Sequence, residues 1–159
     1  MNTKKNIFSK LLLLILIAFI FSNCDTRGVY EKNNLIPNNI WNQDNRISFE
    51  IDVKDTVSLH DFYINIRNAG NYQFSNIFMF VNTTFPSGKS AKDTVECMLA
   101  DAHGKWLGDG LGDIWDARIM FKRNVRFSQS GTYTFEYEQA MRVEKLPGIM
   151  DMGLRIEKP

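Results

Sequence analysis

Residues of the kinds that most often carry chemistry are sparse in this chain of 159 residues. Its histidines are His60 and His103, and neither lies in a motif that pairs a base with a nucleophile or a metal. The chain contains no Gly-x-Ser-x-Gly, His-Glu-x-x-His or paired-cysteine motif. We therefore predict no catalytic residue, no metal site and no cofactor. We expect both histidines to be polar residues that face solvent.

The segment 101–116 is the most unusual part of the sequence, with four glycines, four aspartates and two tryptophans. The aspartates could supply oxygen ligands to Ca²⁺, but their spacing is not that of an EF-hand loop, and turn or capping roles explain them as well. So many glycines around two large rings indicate a compact, shaped loop. The candidate contact residues of this interaction loop are Trp106, Asp109, Asp113 and Trp115.

The N-terminal stretch has the arrangement of a secretory signal peptide. Lysines precede the uninterrupted apolar run 11–21, which is too short for the roughly 20 residues that a membrane-spanning helix needs. The residues Phe21-Ser22-Asn23 fit a signal-peptidase A-x-A site poorly, but with Cys24 they match a loose lipobox. We predict cleavage after residue 23 and attachment of acyl chains, such as palmitate, to Cys24. Such chains would hold the protein on a membrane.

Charge and cysteine content argue against nucleic-acid binding and against a disulfide within the chain. The signal holds three of the 19 Lys and Arg and none of the 18 Asp and Glu, so the mature chain has 16 basic and 18 acidic residues, a net charge of −2. With this charge balance the sequence does not show the excess of basic residues that is typical of nucleic-acid-binding proteins. With Cys24 acylated, Cys97 has no disulfide partner. Alternation places Cys97 beside Val95 and Leu99 on an apolar face, so we predict that it packs in the core.

Hydrophobic alternation with a period of two dominates from residue 46 and recurs in 47–53, 62–67, 117–121 and 132–138, as expected of half-buried strands. The run 75–85 is apolar on both sides and predicts a strand covered on both faces. The spacing of Gly131 and Tyr133 is typical of a tyrosine corner. About seven strands and no long helix predict an all-β fold, a single antiparallel β-sandwich that is immunoglobulin-like or jelly-roll-like.

The sequence divides into three parts. Residues 1–23 are the predicted lipoprotein signal peptide, 24–45 a lipid-anchored N-terminal tether, and 46–159 the β-sandwich domain. The tether is polar and rich in asparagine, but its scattered apolar residues indicate that it docks along the domain. Trp41 is the predicted anchor of this segment.

Several blocks together resemble a known family. They are Cys24, Val29-Tyr30-Glu31, Ile64-Asn65-Ile66-Arg67-Asn68, Ser75-Asn76-Ile77-Phe78, Asp93-Thr94-Val95-Glu96, Leu99-Ala100-Asp101 and the run 104–113, GKWLGDGLGD. The chain resembles the GldH family of gliding-motility lipoproteins of Bacteroidetes, over essentially residues 24–156. The resemblance implies a non-enzymatic, membrane-anchored component of the gliding machinery, tied to type IX secretion, with other envelope proteins as partners. We expect it on the periplasmic side of the outer membrane.

Two further predictions follow from this setting. Asp55-Thr56-Val57 and Asp93-Thr94-Val95 match the Asp-(Ser/Thr)-aliphatic motif of O-glycosylation in Bacteroidetes, so Thr56 and Thr94 are candidate O-glycosylation sites. The alternative function is an envelope lipoprotein that binds glycan by stacking sugar on Trp41, Trp106 or Trp115. Coplanar exposed rings would favour this alternative, and buried rings would count against it.

Overall fold

The computed structural model describes residues 27–159, which form eleven β-strands and a short 3-10 turn (Pro37–Asn39). In β3 every second residue is buried, because a pleated strand points successive side chains to opposite faces. No helix in the described range is long and apolar enough to cross a bilayer. The strands are β1 (Gly28–Leu35), β2 (Ile40–Asn42), β3 (Ile47–Val53), β4 (His60–Ala69), β5 (Asn76–Thr84), β6 (Ser90–Met98), β7 (Asp109–Leu111), β8 (Ile114–Val125), β9 (Gly131–Gln139), β10 (Lys145–Pro147) and β11 (Ile149–Glu157).

The strands form two antiparallel sheets and a small ribbon. The first sheet has the order β1-β11-β4-β8-β7, the second has the order β3-β9-β5-β6, and β2 pairs with β10. The apolar faces of the two sheets meet in the core, as expected for sheets that each have one apolar face. The predicted all-β antiparallel sandwich is therefore confirmed.

One hydrophobic core fills the space between the sheets. The first sheet contributes Ile64 and Leu154, and the second contributes Phe49 and Tyr137, whose ring centroids are 5.0 Å apart. Cys97 is fully buried, and this burial raises the pKa of its thiol to about 12. The prediction that Cys97 packs in the core is confirmed.

Most of the segment that the sequence predicts to be a tether contributes strands. From Gly28 onward it forms β1, which pairs with β11 at the edge of the first sheet, and then β2. Trp41 is fully buried, and its Nε1–H donates a hydrogen bond to the carbonyl oxygen of Asn45 at 2.8 Å. The prediction that Trp41 anchors this segment is confirmed.

The strand registers define two ends of the sandwich. At the first, Gly28 pairs with Glu157, and Glu157 pairs in turn with Asp61. At the second, Leu35 pairs with Asp151, and the β7–β8 hairpin lies on the same sheet. We call these the N-terminal end and the hairpin end. The eight residues of β1 separate them by about 23 Å, since a strand rises about 3.3 Å per residue.

The strand count differs from the predicted seven for two reasons. Three of the eleven strands, β2, β7 and β10, are only three residues long, too short to display a period of two. In addition, β1 lies in the polar stretch before residue 46, where the exposed sheet edge leaves few apolar positions. A strand at an edge with an exposed outer face carries little hydrophobic signal.

Two local predictions are wrong. The strand β5 is covered on one face only, because the fold has two layers: Phe78 is 37% exposed, and the Nζ atom of Lys92 lies 3.7 Å from the centroid of the Phe80 ring. His60 is buried rather than solvent-facing, since it begins β4 and its ring centroid lies 5.1 Å from that of Phe127. His103 is exposed, as predicted.

The tyrosine corner is confirmed at the start of β9. The hydroxyl of Tyr133 donates a hydrogen bond to the carbonyl oxygen of Gln129 at 3.0 Å and accepts one from the N–H of the same residue at 3.3 Å. The ring itself is buried. These bonds fix the connection between β8 and β9 against the core.

Candidate functional site: a charged groove beside the tryptophan hairpin

A polar groove lies on the outer face of the first sheet, with a volume of about 570 Å³. Side chains that point outward from β1, β11, β4 and β8 form its floor, and the segment before β7 forms one wall. The lining residues are Glu31, Asn33, Asn65, Ile66, Arg67, Leu107, Gly108, Asp109, Asp116, Ala117, Arg118 and Asp151.

The strand registers bring these residues together in rows. One row runs across four strands as Asn33, Gly153, Asn65 and Arg118. At Gly153 an added Cβ atom would clash with the Oδ1 atom of Asn33. Glycine at this position therefore lets the amide of Asn33 lie across β11.

Arg67 is the centre of the charge network in the groove. Its Nε atom donates to Oδ1 of Asp116 at 2.7 Å, and its Nη2 atom donates to Oδ2 at 3.2 Å. Its Nη1 atom lies 3.2 Å from Oδ2 of Asp151. The hydrogen bond to Asp116 and the charge of Asp151 raise the pKa of Arg67. The planar guanidinium thus joins β4, β8 and β11 through its fork of donors.

Asp151 is the most buried carboxylate of the groove, with a side chain only 7% exposed. Burial raises its pKa above the ordinary value, the charge of Arg67 opposes that rise, and the charge of Asp116 adds to it. Its ionised form is therefore less favourable than that of an aspartate in water.

A second set of ion pairs continues the network toward the N-terminal end. The buried Arg155 contacts the carboxylate of Glu31, and its Nη2 atom lies 2.8 Å from Oε2 of Glu157. Glu31 also accepts a hydrogen bond from Nδ2 of Asn65 at 2.9 Å and lies 3.7 Å from Arg118. Charges on neighbouring strands are thereby paired, and the groove presents both signs.

Amide, carboxylate and guanidinium groups make up the polar lining of the groove. The residues that line the groove include no histidine, cysteine, serine or lysine. Within residues 27–159 no three His, Cys, Asp or Glu side chains gather as they would around a metal ion. The groove therefore presents polar groups of both charges at positions fixed by ion pairs.

The predicted interaction loop forms one wall of this groove and the hairpin beside it. Asp109 lines the groove, whereas Asp113 lies exposed at the hairpin turn, where its carbonyl oxygen accepts the N–H of Gly70 at 2.6 Å. Asp101 caps a turn through its Oδ1 atom, which accepts the N–H groups of His103 and Lys105 at 2.9 Å. The predicted turn role is confirmed for Asp101.

The two tryptophans of the loop are half-buried and lie against one another. The ring centroids of Trp106 and Trp115 are 6.4 Å apart with planes inclined at 33°, and Trp106 is also 6.4 Å from Tyr72. Trp115 covers the backbone of Gly110. Both rings therefore use much of their surface in contacts within the protein.

These contacts count against stacking sugar on the tryptophans. Trp41 is fully buried and offers no ring face to a ligand. Trp106 and Trp115 are inclined to each other rather than coplanar. The hairpin is thus a shaped wall of the groove, and its tryptophans support that shape.

The modification sites predicted from the sequence lie away from the groove. Thr56 is in the loop between β3 and β4, where Oδ1 of Asp55 accepts the N–H groups of Val57 at 2.9 Å and Ser58 at 3.0 Å. Thr94 points outward from β6, the edge strand of the second sheet. Cys24 lies outside the described residues. Thr56 and Thr94 stay predicted sites.

Sequence reasoning missed the groove as a site, although its signal is present. Asn65 and Arg67 alternate with Ile64 and Ile66, and this pattern identifies them as outward-facing residues of one strand. Pairing between strands distant in the sequence then brings Arg67 to Asp116 and Asp151. The sequence pattern alone does not define these registers.

Comparison with known proteins identifies the family. The family described as GldH lipoprotein matches residues 28–156. The chain is 38% identical over 153 residues to the gliding motility lipoprotein GldH homolog of Christiangramia forsetii, with 92% of this chain and 93% of that protein covered. It is 32% identical over 153 residues to the gliding motility lipoprotein GldH of Flavobacterium johnsoniae, with 92% and 94% covered. This chain therefore belongs to the GldH lipoprotein family.

Proposed function

We propose that this protein is a non-enzymatic, lipid-anchored component of the gliding motility machinery that is linked to type IX secretion. In this proposal, acyl chains on Cys24 hold the domain on the periplasmic side of the outer membrane. The charged groove and the hairpin beside it then bind another envelope protein of the same machinery.

Family membership supports the first part of the proposal. Two relatives that match this chain over more than nine-tenths of their length carry the name gliding motility lipoprotein. The proposed acceptor of lipid, Cys24, lies only three residues before Arg27 in the sequence. Three residues of fully extended chain reach at most about 10 Å. An acylated Cys24 would therefore keep the N-terminal end of the sandwich close to the membrane.

The observation that carries the docking role is the position of the groove relative to this end. The row formed by Asp151, Arg67, Asp116 and Asp109 lies at the hairpin end. This end is about 23 Å along β1 from Gly28. A groove in this position would face a partner in the periplasm rather than the lipid surface.

The chemistry of the groove favours a protein partner with charges of both signs. The fork of Arg67 is already engaged by Asp116 and Asp151. Arg118 is 51% exposed, and its one ion pair among residues 27–159 is a long contact of 3.7 Å with Glu31. Arg118 is thus the cation of the network best placed to exchange its partner. Charged groups at such positions govern the specificity and rate of association more than its total strength.

Charge reversal at Arg118 tests the proposal. We would express the full chain in Flavobacterium johnsoniae from which its own GldH lipoprotein has been removed, and measure colony spreading. The unmodified chain should restore spreading, and R118E should restore little of it. The matched control is R123E, the same change in an exposed residue of the same strand near the N-terminal end.

The outcome against the docking role is equal spreading with R118E and R123E when both proteins reach wild-type levels in the membrane fraction. Replacement of Cys24 by alanine tests the anchor separately. Affinity purification of the C24A chain should lose both the membrane fraction and the envelope neighbours that the acylated chain recovers. Recovery of the same neighbours and the same fraction by C24A would contradict anchoring through Cys24.

A further inference from the structure

A second cavity lies between the two sheets, nearer to the N-terminal end, with a volume of about 220 Å³. Five of its eleven lining residues are aromatic. Two ring pairs illustrate how closely they pack: Phe127 to Tyr133 at 4.9 Å and Phe62 to Phe135 at 5.8 Å between centroids. An apolar protein cavity of about 150 Å³ is large enough to bind benzene. This aromatic cavity therefore has room for an apolar body somewhat larger than one benzene ring.

Thr83 is a buried polar residue in the wall of the aromatic cavity. Thr83 is 6% exposed, lies on the inward face of β5 and stands in register with Phe135 on one side and Ala91 on the other. Its Oγ1 atom has no hydrogen-bond partner among the described residues. Buried hydroxyl groups are normally paired, so this atom is available to a ligand in the cavity.

The mouth of the aromatic cavity lies between the edges of the two sheets and is positively charged. Lys122 of β8 lines the cavity and forms a 2.6 Å ion pair with Asp93 of β6, which links the two sheet edges. Exposed Arg126 and exposed Ala91 also line it. Two cations thus face one anion at the entrance, an arrangement that attracts a negatively charged group.

We propose that the aromatic cavity binds a small carboxylate with an apolar body, about the size of a phenyl ring with a short chain. The apolar body packs against the aromatic rings. The carboxylate lies at the mouth, where it accepts a hydrogen bond from the hydroxyl of Thr83 and faces the ammonium group of Lys122. This site is separate from the charged groove, which lies on the outer face of the first sheet, so it stands independently of the proposed docking role.

Titration calorimetry with 3-phenylpropionate tests this proposal. The full chain is reconstituted in lipid nanodiscs, and the heat from empty nanodiscs is subtracted. We expect saturable binding with one site per chain, and weaker binding of the uncharged 3-phenylpropanol. The variant T83V, which keeps the side-chain shape but removes the hydroxyl, should weaken phenylpropionate binding about tenfold, the effect of losing one hydrogen bond to a charged group. The control T94V changes an outward-facing threonine of β6 and should bind like wild type.

Two further variants keep the test decisive if T83V affects folding. A91W places a large ring at the exposed rim and should abolish binding, while K122Q should remove the preference for the carboxylate over the alcohol. Circular dichroism confirms that each variant is folded. The proposal fails if 3-phenylpropionate shows no saturable binding, or if the folded A91W chain binds it as tightly as the wild-type chain.

Discussion

The indole ring of Trp115 lies directly against the backbone of Gly110 on the facing strand of the hairpin. A Cβ atom at position 110 would lie 2.4 Å from Cζ3 of that ring. The two residues are register partners between β7 and β8, so the ring occupies the space that a side chain at position 110 would take. Gly110 of the segment 101–116 thus makes room for a tryptophan.

The first prediction concerns this contact. In G110A, Trp115 must move away from β7 and lose part of its contact with Trp106. We expect a loss of about 1–3 kcal/mol in the free energy of unfolding, as is usual for overpacking, and a red shift of tryptophan fluorescence. The control is L111A, because Leu111 is 88% exposed. Equal stability and equal spectra for the two variants would show that the ring does not depend on Gly110.

The second prediction concerns Arg67. In R67A the buried carboxylate of Asp151 loses the cation at 3.2 Å. We expect a loss of about 1–3 kcal/mol, the usual cost of an unsatisfied buried polar group, measured by urea denaturation. The control R118A removes one exposed pair and should cost less than about 1 kcal/mol. The double variant R67A/D151N should recover part of the loss, and no recovery would contradict the role given to Asp151.

The third prediction is a dependence on pH. Because burial raises the pKa of Asp151 in the folded protein above its value in the unfolded chain, the folded state holds the proton more tightly. The stabilisation of the folded state by protonated Asp151 is therefore complete below the unfolded pKa of 3.8. It is lost as the pH rises through the folded pKa of Asp151.

Replacement of Asp151 by asparagine imitates the protonated side chain, so D151N should raise the melting temperature at pH 7 and change it little at pH 3. The control D109N alters an exposed carboxylate of the same groove and should have little effect at either pH. A drop in the melting temperature of D151N at pH 7 would mean that the attraction to Arg67 exceeds the cost of burial.

The fourth prediction tests whether the segment before residue 46 is part of the folded domain. W41A should cost about 3–5 kcal/mol, because it removes a fully buried ring and leaves a cavity. The neighbouring control L35A should cost little, since Leu35 is 82% exposed. Urea denaturation measures both. A W41A chain as stable as L35A would indicate that this segment adds nothing to the stability of the domain.

The sequence allows the fold class to be predicted because burial of one face of a strand makes apolar and polar residues alternate. The residues Ile47, Phe49, Ile51 and Val53 alternate with polar neighbours, and all four are buried in one strand. The position of Cys97 and the corner at Tyr133 follow from equally local patterns. Features determined by neighbours in sequence were therefore predictable.

Features that depend on pairing between residues distant in the sequence could not be predicted. The contact of Arg67 with Asp116 joins residues 49 positions apart, and that of Arg155 with Glu31 joins residues 124 apart. His60 shows the same limit on a smaller scale: its polar neighbours suggest a turn, but the ring of Phe127 covers it in the folded chain. The loop around Trp106 could be singled out by its composition, whereas its place as a groove wall depends on the sheet register.

The short length of β7 has a consequence for the association of copies of this chain through their strand edges. This strand pairs with only Ile114, Trp115 and Asp116 of the 12-residue β8, so the rest of that edge meets no other described strand of its sheet. The remaining edge includes cationic residues, shifts its register and ends near Asn124, whose φ is 53°. Positive charge and irregular backbone both oppose pairing between edges of identical sheets. Pairing of two copies of this chain, strand to strand, along this edge of β8 is therefore disfavoured.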